Sequence, residues 1–198
     1  MQPRPPPLEE LARRLSARPL ERGPAAPFAS IALLLAPYSL QPQPSAAPLQ
    51  LLLIERATRE GDPWSGHMAL PGGRVDPADA DPLAAAIRET REETGIEVTA
   101  ADLLGELDDV FPRDTTAGRF VVRPFVFALP GCPPLTLSDE VAKALWVPLA
   151  DLAACACTAE VDHRGATLAV PAYRCGPHVV WGLTHRVVSG LLDLLPMP

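Results

Sequence analysis

The sequence predicts an α/β fold of the α+β kind, a sandwich with a mixed central sheet rather than a helix bundle. Three observations carry that prediction. Two continuous apolar runs, Ala29 to Ala36 and Leu49 to Ile54, have the length and composition of buried strands. A well-punctuated helical segment, Pro82 to Thr94, follows them, and further strand-like segments alternate with short helical ones towards Leu195. The chain of 198 residues is long enough for one domain with a substantial core and short for two.

The elements follow in order. Residues 1–27 hold three consecutive prolines, Pro5 to Pro7, and a short helix over Leu8 to Leu15; they are expected to form a Pro-rich, loosely packed N-terminal segment. Residues 28–198 are expected to form a single domain. The two apolar runs are joined by a Pro-, Gln- and Ser-rich loop. After the second run comes an irregular stretch from Glu55 to Asp81, rich in Gly, Pro and Asp, of the sort on which sites are built. The helix from Pro82 has Asp81 as a cap, proline in its first turn and Gly95 just past its end. Glu97 to Phe111 and Arg119 to Leu129 read as strands around a loop at Pro112 to Gly118, and Leu145 to Val147 as a short strand. A short helix near Leu149, a strand pair over Glu160 to Tyr173 and a final amphipathic helix from Gly182 complete the pattern. Trp146 and Trp181 are assigned to the core.

Composition excludes several function classes. A net charge of −7 argues against a nucleic-acid binder that works by neutralising phosphates. No run approaches the roughly eighteen apolar residues of a membrane span, and no secretory leader is evident, so a cytoplasmic protein without membrane partners is expected. The four cysteines, Cys132, Cys155, Cys157 and Cys175, lack zinc-framework spacing and read as free thiols. His163, His178 and His185 are too scattered to suggest a metal site. The 25 prolines predict short elements.

Glu89, Glu92 and Glu93 stand at i, i+3 and i+4, so one helix face carries three carboxylates within mutual reach. They occupy the last turn, where the helix dipole is negative and acidic side chains are disfavoured. A hard divalent cation with oxygen ligands would offset that repulsion. A solvated charged face with Arg88 and Arg91 as ion-pair partners is the competing reading, although Arg88 ahead of Glu92 is the weaker order for such a pair. Gly72 and Gly73, just before the helix, allow close backbone approach to a ligand.

The run Arg88, Glu89, Thr90, Arg91, Glu92, Glu93, Thr94, Gly95, Ile96 resembles the end of the signature of the Nudix hydrolases, with Thr90 a departure at a usually apolar position. From Gly73 to Arg88 the chain is one residue longer than the general signature, and the signature's first glutamate falls on Ala80, between Asp79 and Asp81. This spacing resembles the coenzyme A diphosphatase branch. Leu52, Leu53, Arg56 and Ala57 match the start of that branch's upstream motif and Gly66 to Gly73 its end, while Asp62 or Gly61 stands where an arginine is expected.

The resemblance implies a Nudix-like α/β/α sandwich and a Mg²⁺- or Mn²⁺-dependent pyrophosphohydrolase. Glu89, Glu92 and Glu93 would hold the metal, Arg88 would orient a glutamate, and the general base would be Glu92 or Glu140. Arg56, Gly72, Gly73 and Arg74 would bind substrate, and Arg123 is a further phosphate-binding candidate. Trp64 and His67 are candidates to line a base or pantetheine pocket. The implied reaction splits coenzyme A or a derivative into 4′-phosphopantetheine and adenosine 3′,5′-bisphosphate. The alternatives are another nucleoside diphosphate derivative, such as a nucleotide sugar, a dinucleotide or a nucleoside triphosphate, and a catalytically silent nucleotide-binding module. The expected partner is thus a small-molecule nucleoside diphosphate derivative, acted on by a monomer or homodimer.

Overall fold

The computed structural model describes residues 6–38, 48–62, 64–111, 120–163 and 165–195. The loop expected at Pro112 to Gly118 and most of the linker after Tyr38 fall outside them. Helix α1 (Pro6–Ala17) leads into β1 (Ala29–Pro37), β2 (Leu49–Arg56), β3 (Met68–Ala69), β4 (Gly72–Arg74) and helix α2 (Pro82–Thr94). Then come β5 (Leu103–Glu106), β6 (Val122–Ala128), β7 (Val141–Pro148), α3 (Leu149–Ala154), β8 (Ala156–His163), β9 (Ala166–Cys175), β10 (His178–Trp181) and α4 (Gly182–Leu192).

Among the described residues, β1 to β7 form one seven-stranded sheet along the path β3-β2-β1-β6-β5, with β4 on β1 and β7 on β2. The sheet is mixed because β1 runs parallel to β6 and antiparallel to β2. Central strands are covered on both faces, which is why β1 reads as an unbroken apolar run. Ile31, Leu33 and Leu35 point into one core with Leu51, Leu53, Val126 and the leucines of α1, α3 and α4. Ala32, Leu34 and Ala36 point into the other with Leu52, Phe125, Phe127 and Ala86 of α2. The result is the layered sandwich expected from the sequence, with α2 alone on its own side.

Four expectations need correction. Helix α1 is not loosely packed: its Leu8, Leu11 and Leu15 are buried in the first core, at helical spacing that the flanking prolines obscured. Below α1, Arg22 Nη1 and Gly23 N–H reach the Asp109 carboxylate at 3.2 and 2.9 Å. The segment from Glu97 does not begin as a strand. Thr99 and Asp102 form a capping box around the 3₁₀ turn Ala100–Asp102, and only then does β5 start. The C-terminal strand pair is three strands, β8, β9 and β10, in a separate antiparallel sheet. Trp146 and Trp181 are half-buried rather than core residues. No helix among the described residues is long and apolar enough to cross a membrane.

Candidate active site

Helix α2 is set by its ends. The Asp81 carboxylate accepts from Ala84 N–H at 2.8 Å, Pro82 takes the first turn, and Gly95 at φ +72° closes the last with its N–H on the Arg91 carbonyl. Its buried side carries Ala85, Ala86, Thr90, Glu93 and Thr94. Thr90 and Thr94 satisfy their hydroxyls on the carbonyls of Ala86 and Thr90, at 2.7 and 2.6 Å, so these polar residues are tolerated inside. Thr90 therefore fills the apolar position of the signature by burying itself.

The same side buries Glu93, which is only 5% exposed. Its Oε2 accepts from Gly72 N–H at 2.9 Å. Burial pushes this carboxyl up to about 7, against the pull of the Gly72 hydrogen bond, and the charges of Glu89 and Glu140 push in the same direction. Glu89 is raised as well, first by burial and then by the charges of Glu92 and Glu140, against the pull of Arg88. Two carboxylates pushed towards protonation by burial and by neighbouring acids are a group short of positive charge.

The loop ahead of the helix is shaped around these acids. Gly72 has φ +147°, and a Cβ there would overlap the Ser30 carbonyl and lie 2.6 Å from Ile31 Cα. A Cβ on Gly73 would lie 2.6 Å from Glu89 Oε2 and closer still to the rest of that carboxylate. Glycine is thus demanded at one position by the backbone and at the other by the acid itself.

Arg88 ties the cluster together. Its Nη1 donates to Glu89 Oε1 at 2.8 Å and Glu92 Oε2 at 3.0 Å, and its Nη2 to the Arg74 carbonyl at 3.1 Å. Its Nε and Nη2 form a two-pronged pair with Asp79, both at 3.0 Å. The ion pair with Glu92 forms despite the unfavourable order, because Asp79 already fixes the guanidinium. In the sequence Asp79 stood out only as a flank of Ala80, where the signature's glutamate falls, and had no role assigned; that flanking acid was the available signal. Arg88 in turn holds Asp79 below the ordinary carboxylate range.

Glu140 and Arg56 complete the surround. The loop before β7 is pinned to the end of α2 by Thr136 N–H on the Thr94 carbonyl at 2.9 Å and Ser138 N–H on the Glu93 carbonyl at 3.2 Å. That brings the Glu140 charge to bear on Glu89 and Glu93, while Arg59 Nη1 donates to Glu140 Oε1 at 3.2 Å. The positive charge of Arg56 acts on Glu93; its Nη2 donates to Asp62 at 3.0 Å and its Nε is buried without an acceptor.

Two other candidates stand elsewhere. The Arg74 guanidinium lies over the Phe28 ring at 4.8 Å, so Arg74 serves the cluster through its carbonyl. Arg123 is committed to Asp109, through Nε at 2.8 Å and Nη2 at 2.9 Å, and is not part of the site. Trp64 is exposed, and His67 faces a different cavity, described below.

A hard cation fits the chemistry of this donor set, which consists of clustered carboxylate oxygens, two of them on groups raised chiefly by burial, with an acid seated against a glycine. Among the described residues, however, no three His, Cys, Asp or Glu side chains are already grouped at metal-ligand spacing. Glu89 and Glu92 both engage Arg88, and Glu93 engages Gly72.

A NUDIX domain model matches residues 45–167. The chain belongs to the NUDIX family, and the class this defines is a hydrolase of the pyrophosphatase type. The human mitochondrial coenzyme A diphosphatase NUDT8 is 33% identical over 196 residues, covering 92% of this chain and 76% of that one. An uncharacterised Nudix hydrolase of Escherichia coli, NudL, is 33% identical over 81% of this chain and 80% of its own length. An uncharacterised Schizosaccharomyces pombe protein is 38% identical over 72% of this chain, which spans only 44% of that relative. Among solved structures, a MutT/nudix family protein from Enterococcus faecalis superposes with a TM-score of 0.57 at 19% identity, over 92% of this chain and 67% of that one, a likeness of fold.

Proposed function

We propose that this chain is a Mg²⁺- or Mn²⁺-dependent hydrolase that cleaves the diphosphate of coenzyme A or its derivatives, giving 4′-phosphopantetheine and adenosine 3′,5′-bisphosphate. In this reading residues 28–198 are the hydrolase domain, with α1 docked on it. The observation that carries the chemistry is Glu93, a buried carboxylate pushed up to about 7 beside two further acids. The coenzyme A assignment rests on the likeness to NUDT8 over most of both chains.

Glu89, Glu92 and Glu93 would hold the cation, which when bound supplies neutralisation of the diphosphate and a more acidic water. The protein's own groups do the remainder. Arg88 orients Glu89 and Glu92, and Asp79 orients Arg88. Arg56 offers its unpaired Nε to a phosphate oxygen, and Gly72 and Gly73 let the backbone approach the diphosphate. A carboxylate, Glu92 or Glu140, accepts the proton of the attacking water.

A second reading, hydrolysis of a different nucleoside diphosphate derivative, is favoured by one observation. Asp62 or Gly61 stands at the place where the coenzyme A branch is expected to carry arginine, and Asp62 neutralises Arg56 at 3.0 Å. The deciding experiment is product analysis by mass spectrometry on a panel of coenzyme A, nucleotide sugars, dinucleotides and nucleoside triphosphates with Mg²⁺. Turnover of coenzyme A to the two named products supports the first reading. Turnover of other members alone transfers the assignment to the second, and no turnover on any member rejects both.

A further inference from the structure

A cavity of about 480 Å³ opens where the end of β2 meets the small sheet, and the cluster around Glu93 does not use it. Its walls come from β2, β3 and β7 of the large sheet and from β8 and β10 of the small one. Along β2, Leu51 and Leu53 enter the first core and Leu52 the second, so Glu55 lies on the Leu53 face, away from α2. The volume is that of a small-molecule pocket.

Two features inside it point to a ligand. The first is an aromatic floor. Trp181 meets His67 edge-on at 5.0 Å, and His163 backs it at 5.4 Å, so the indole is held in place by two rings. The second is a charged wall. Glu55 pairs across the sheet with Lys143 on one side and Met68 on the other. Its Oε2 is 3.5 Å from both Lys143 Nζ and His178 Nδ1. Charge-assisted contacts normally close to about 2.7–2.9 Å. Lys143, 61% exposed, therefore makes only a long hydrogen bond to Glu55, and Glu55 and His178 leave a closer contact unmade although they are about four-fifths shielded from solvent, with side chains 21% and 20% exposed.

The geometry points to a binding site for a flat heteroaromatic ring that bears an exocyclic amino group, as adenine, guanine and cytosine do. The ring packs on Trp181 and His67, the Glu55 carboxylate accepts from the amino group, and Lys143 donates to a neighbouring ring nitrogen or carbonyl. Uracil and thymine offer Glu55 only an imide N–H flanked by two carbonyl oxygens that repel the carboxylate, and are weaker ligands. Burial holds His67 below the ordinary histidine range, which keeps its ring neutral as a packing surface. The base has two sources, the nucleoside half of the substrate or a separate nucleotide that acts as an effector. The first source rests on the pyrophosphohydrolase reading, and the second does not.

The test uses the full ¹⁵N-labelled chain in EDTA, so that binding is read without turnover. Adenosine, guanosine and cytidine are titrated against uridine while the three tryptophan indole N–H signals are followed; Trp181→Phe assigns the relevant one. The expected result is a saturable shift of the Trp181 signal with the amino-bearing nucleosides, at least tenfold weaker for uridine and for Glu55→Gln. A Trp181 signal unmoved by millimolar adenosine, guanosine and cytidine in the wild type overturns the proposal, and so does an equal response to uridine. The binding is read on the wild type, and the Trp181 signal can also be assigned by elimination with Trp64→Phe and Trp146→Phe, so a Trp181 or Glu55 variant that fails to fold does not rescue the idea.

Steady-state kinetics with Mg²⁺ then separate the sources. If the site holds the substrate's own base, Trp181→Leu raises KM about tenfold with kcat nearly unchanged, and adenosine inhibits competitively. If the base is an effector, adenosine alters turnover without competing. A wild type that binds adenosine but hydrolyses nothing keeps the site and rejects the enzymatic reading.

Discussion

Two clusters of acid and arginine stand out among the described residues, and their contrast sets the proposed site against a structural clamp. At the base of α1, Glu106, Asp108 and Asp109 face Arg18, Arg22 and Arg123, three acids to three cations. Asp109 there is buried, and burial alone would raise it. The hydrogen bonds from Arg123 and Gly23 N–H, with the charges of Arg123 and Arg22, outweigh that and hold it below the ordinary carboxylate range. At the end of α2, Glu89 and Glu92 lean on Arg88, which is already shared with Asp79, Glu93 has only the Gly72 N–H and the charge of Arg56, and both Glu89 and Glu93 are pushed upwards. The first cluster is satisfied as it stands; the second leaves negative charge that a cation would complete.

The largest expected effect concerns the unsatisfied cluster. Glu93→Gln should lower turnover by more than about 100-fold, since outer-shell changes alone reach about 10–100-fold. In metal-free buffer the same variant should melt at the same temperature or higher, because a buried charge is replaced by a neutral group that still accepts from Gly72 N–H. A clear fall in melting temperature in EDTA would show that Glu93 is a structural acid like Asp109.

Next comes Asp79→Asn, which loosens the two-pronged hold on Arg88. It should lower kcat by about 10–100-fold with little change in folding. Loss of stability without loss of kcat would move Asp79 into the structural class.

In the satisfied cluster the effects fall on stability. Asp109→Asn leaves Arg123 and Arg22 short of their partner and should remove about 3 kcal/mol, a fall of roughly 6–12 °C in melting temperature, with kcat retained. The pH dependence has a definite sign. The folded value of Asp109 lies below the unfolded one, so its stabilisation is fully present above the unfolded value, about 3.9, and is lost as pH falls through the folded value. Urea melts of the wild type below about pH 4 should steepen in their acid dependence relative to Asp109→Asn, and parallel curves would contradict the comparison.

The smallest effect is expected for Arg13→Ala. The ion pair of Arg13 with Glu10 is exposed, with Arg13 67% accessible, so thermal melts should be indistinguishable from wild type.

What the sequence disclosed divides by the range of the interaction. Asp81 and Gly95 bracket α2 through contacts three or four residues long, and the i, i+3, i+4 spacing of the glutamates is equally local, so both were readable. Asp79 was not, because its hold on Arg88 depends on how the loop after Gly73 folds back on the helix. Docking of α1 was hidden because its leucines find their partners in β5 and α4, far along the chain. The cavity lined by Glu55, His67, His178 and Trp181 was invisible for the same reason: His178 looked scattered because only the small sheet brings it to Glu55 and Trp181. Conversely, Arg123 looked like a phosphate ligand because a spare arginine and a committed one are identical on paper, and only Asp109 distinguishes them.

The parallel neighbour of β1 has a consequence for biosynthesis. β1 and β2 are complete once Arg56 has been made, yet β6, which closes the far edge of β1, is not finished until Ala128. Throughout that interval the growing polypeptide carries a greasy ribbon, apolar on both faces and open along both edges, since β7 on the other side of β2 is made later still, and it is of the kind that sticks to other ribbons. A chaperone waiting at the ribosome would find its natural substrate in the stretch from Ile31 to Ile54, and slow translation before β6 should lower the yield of folded protein.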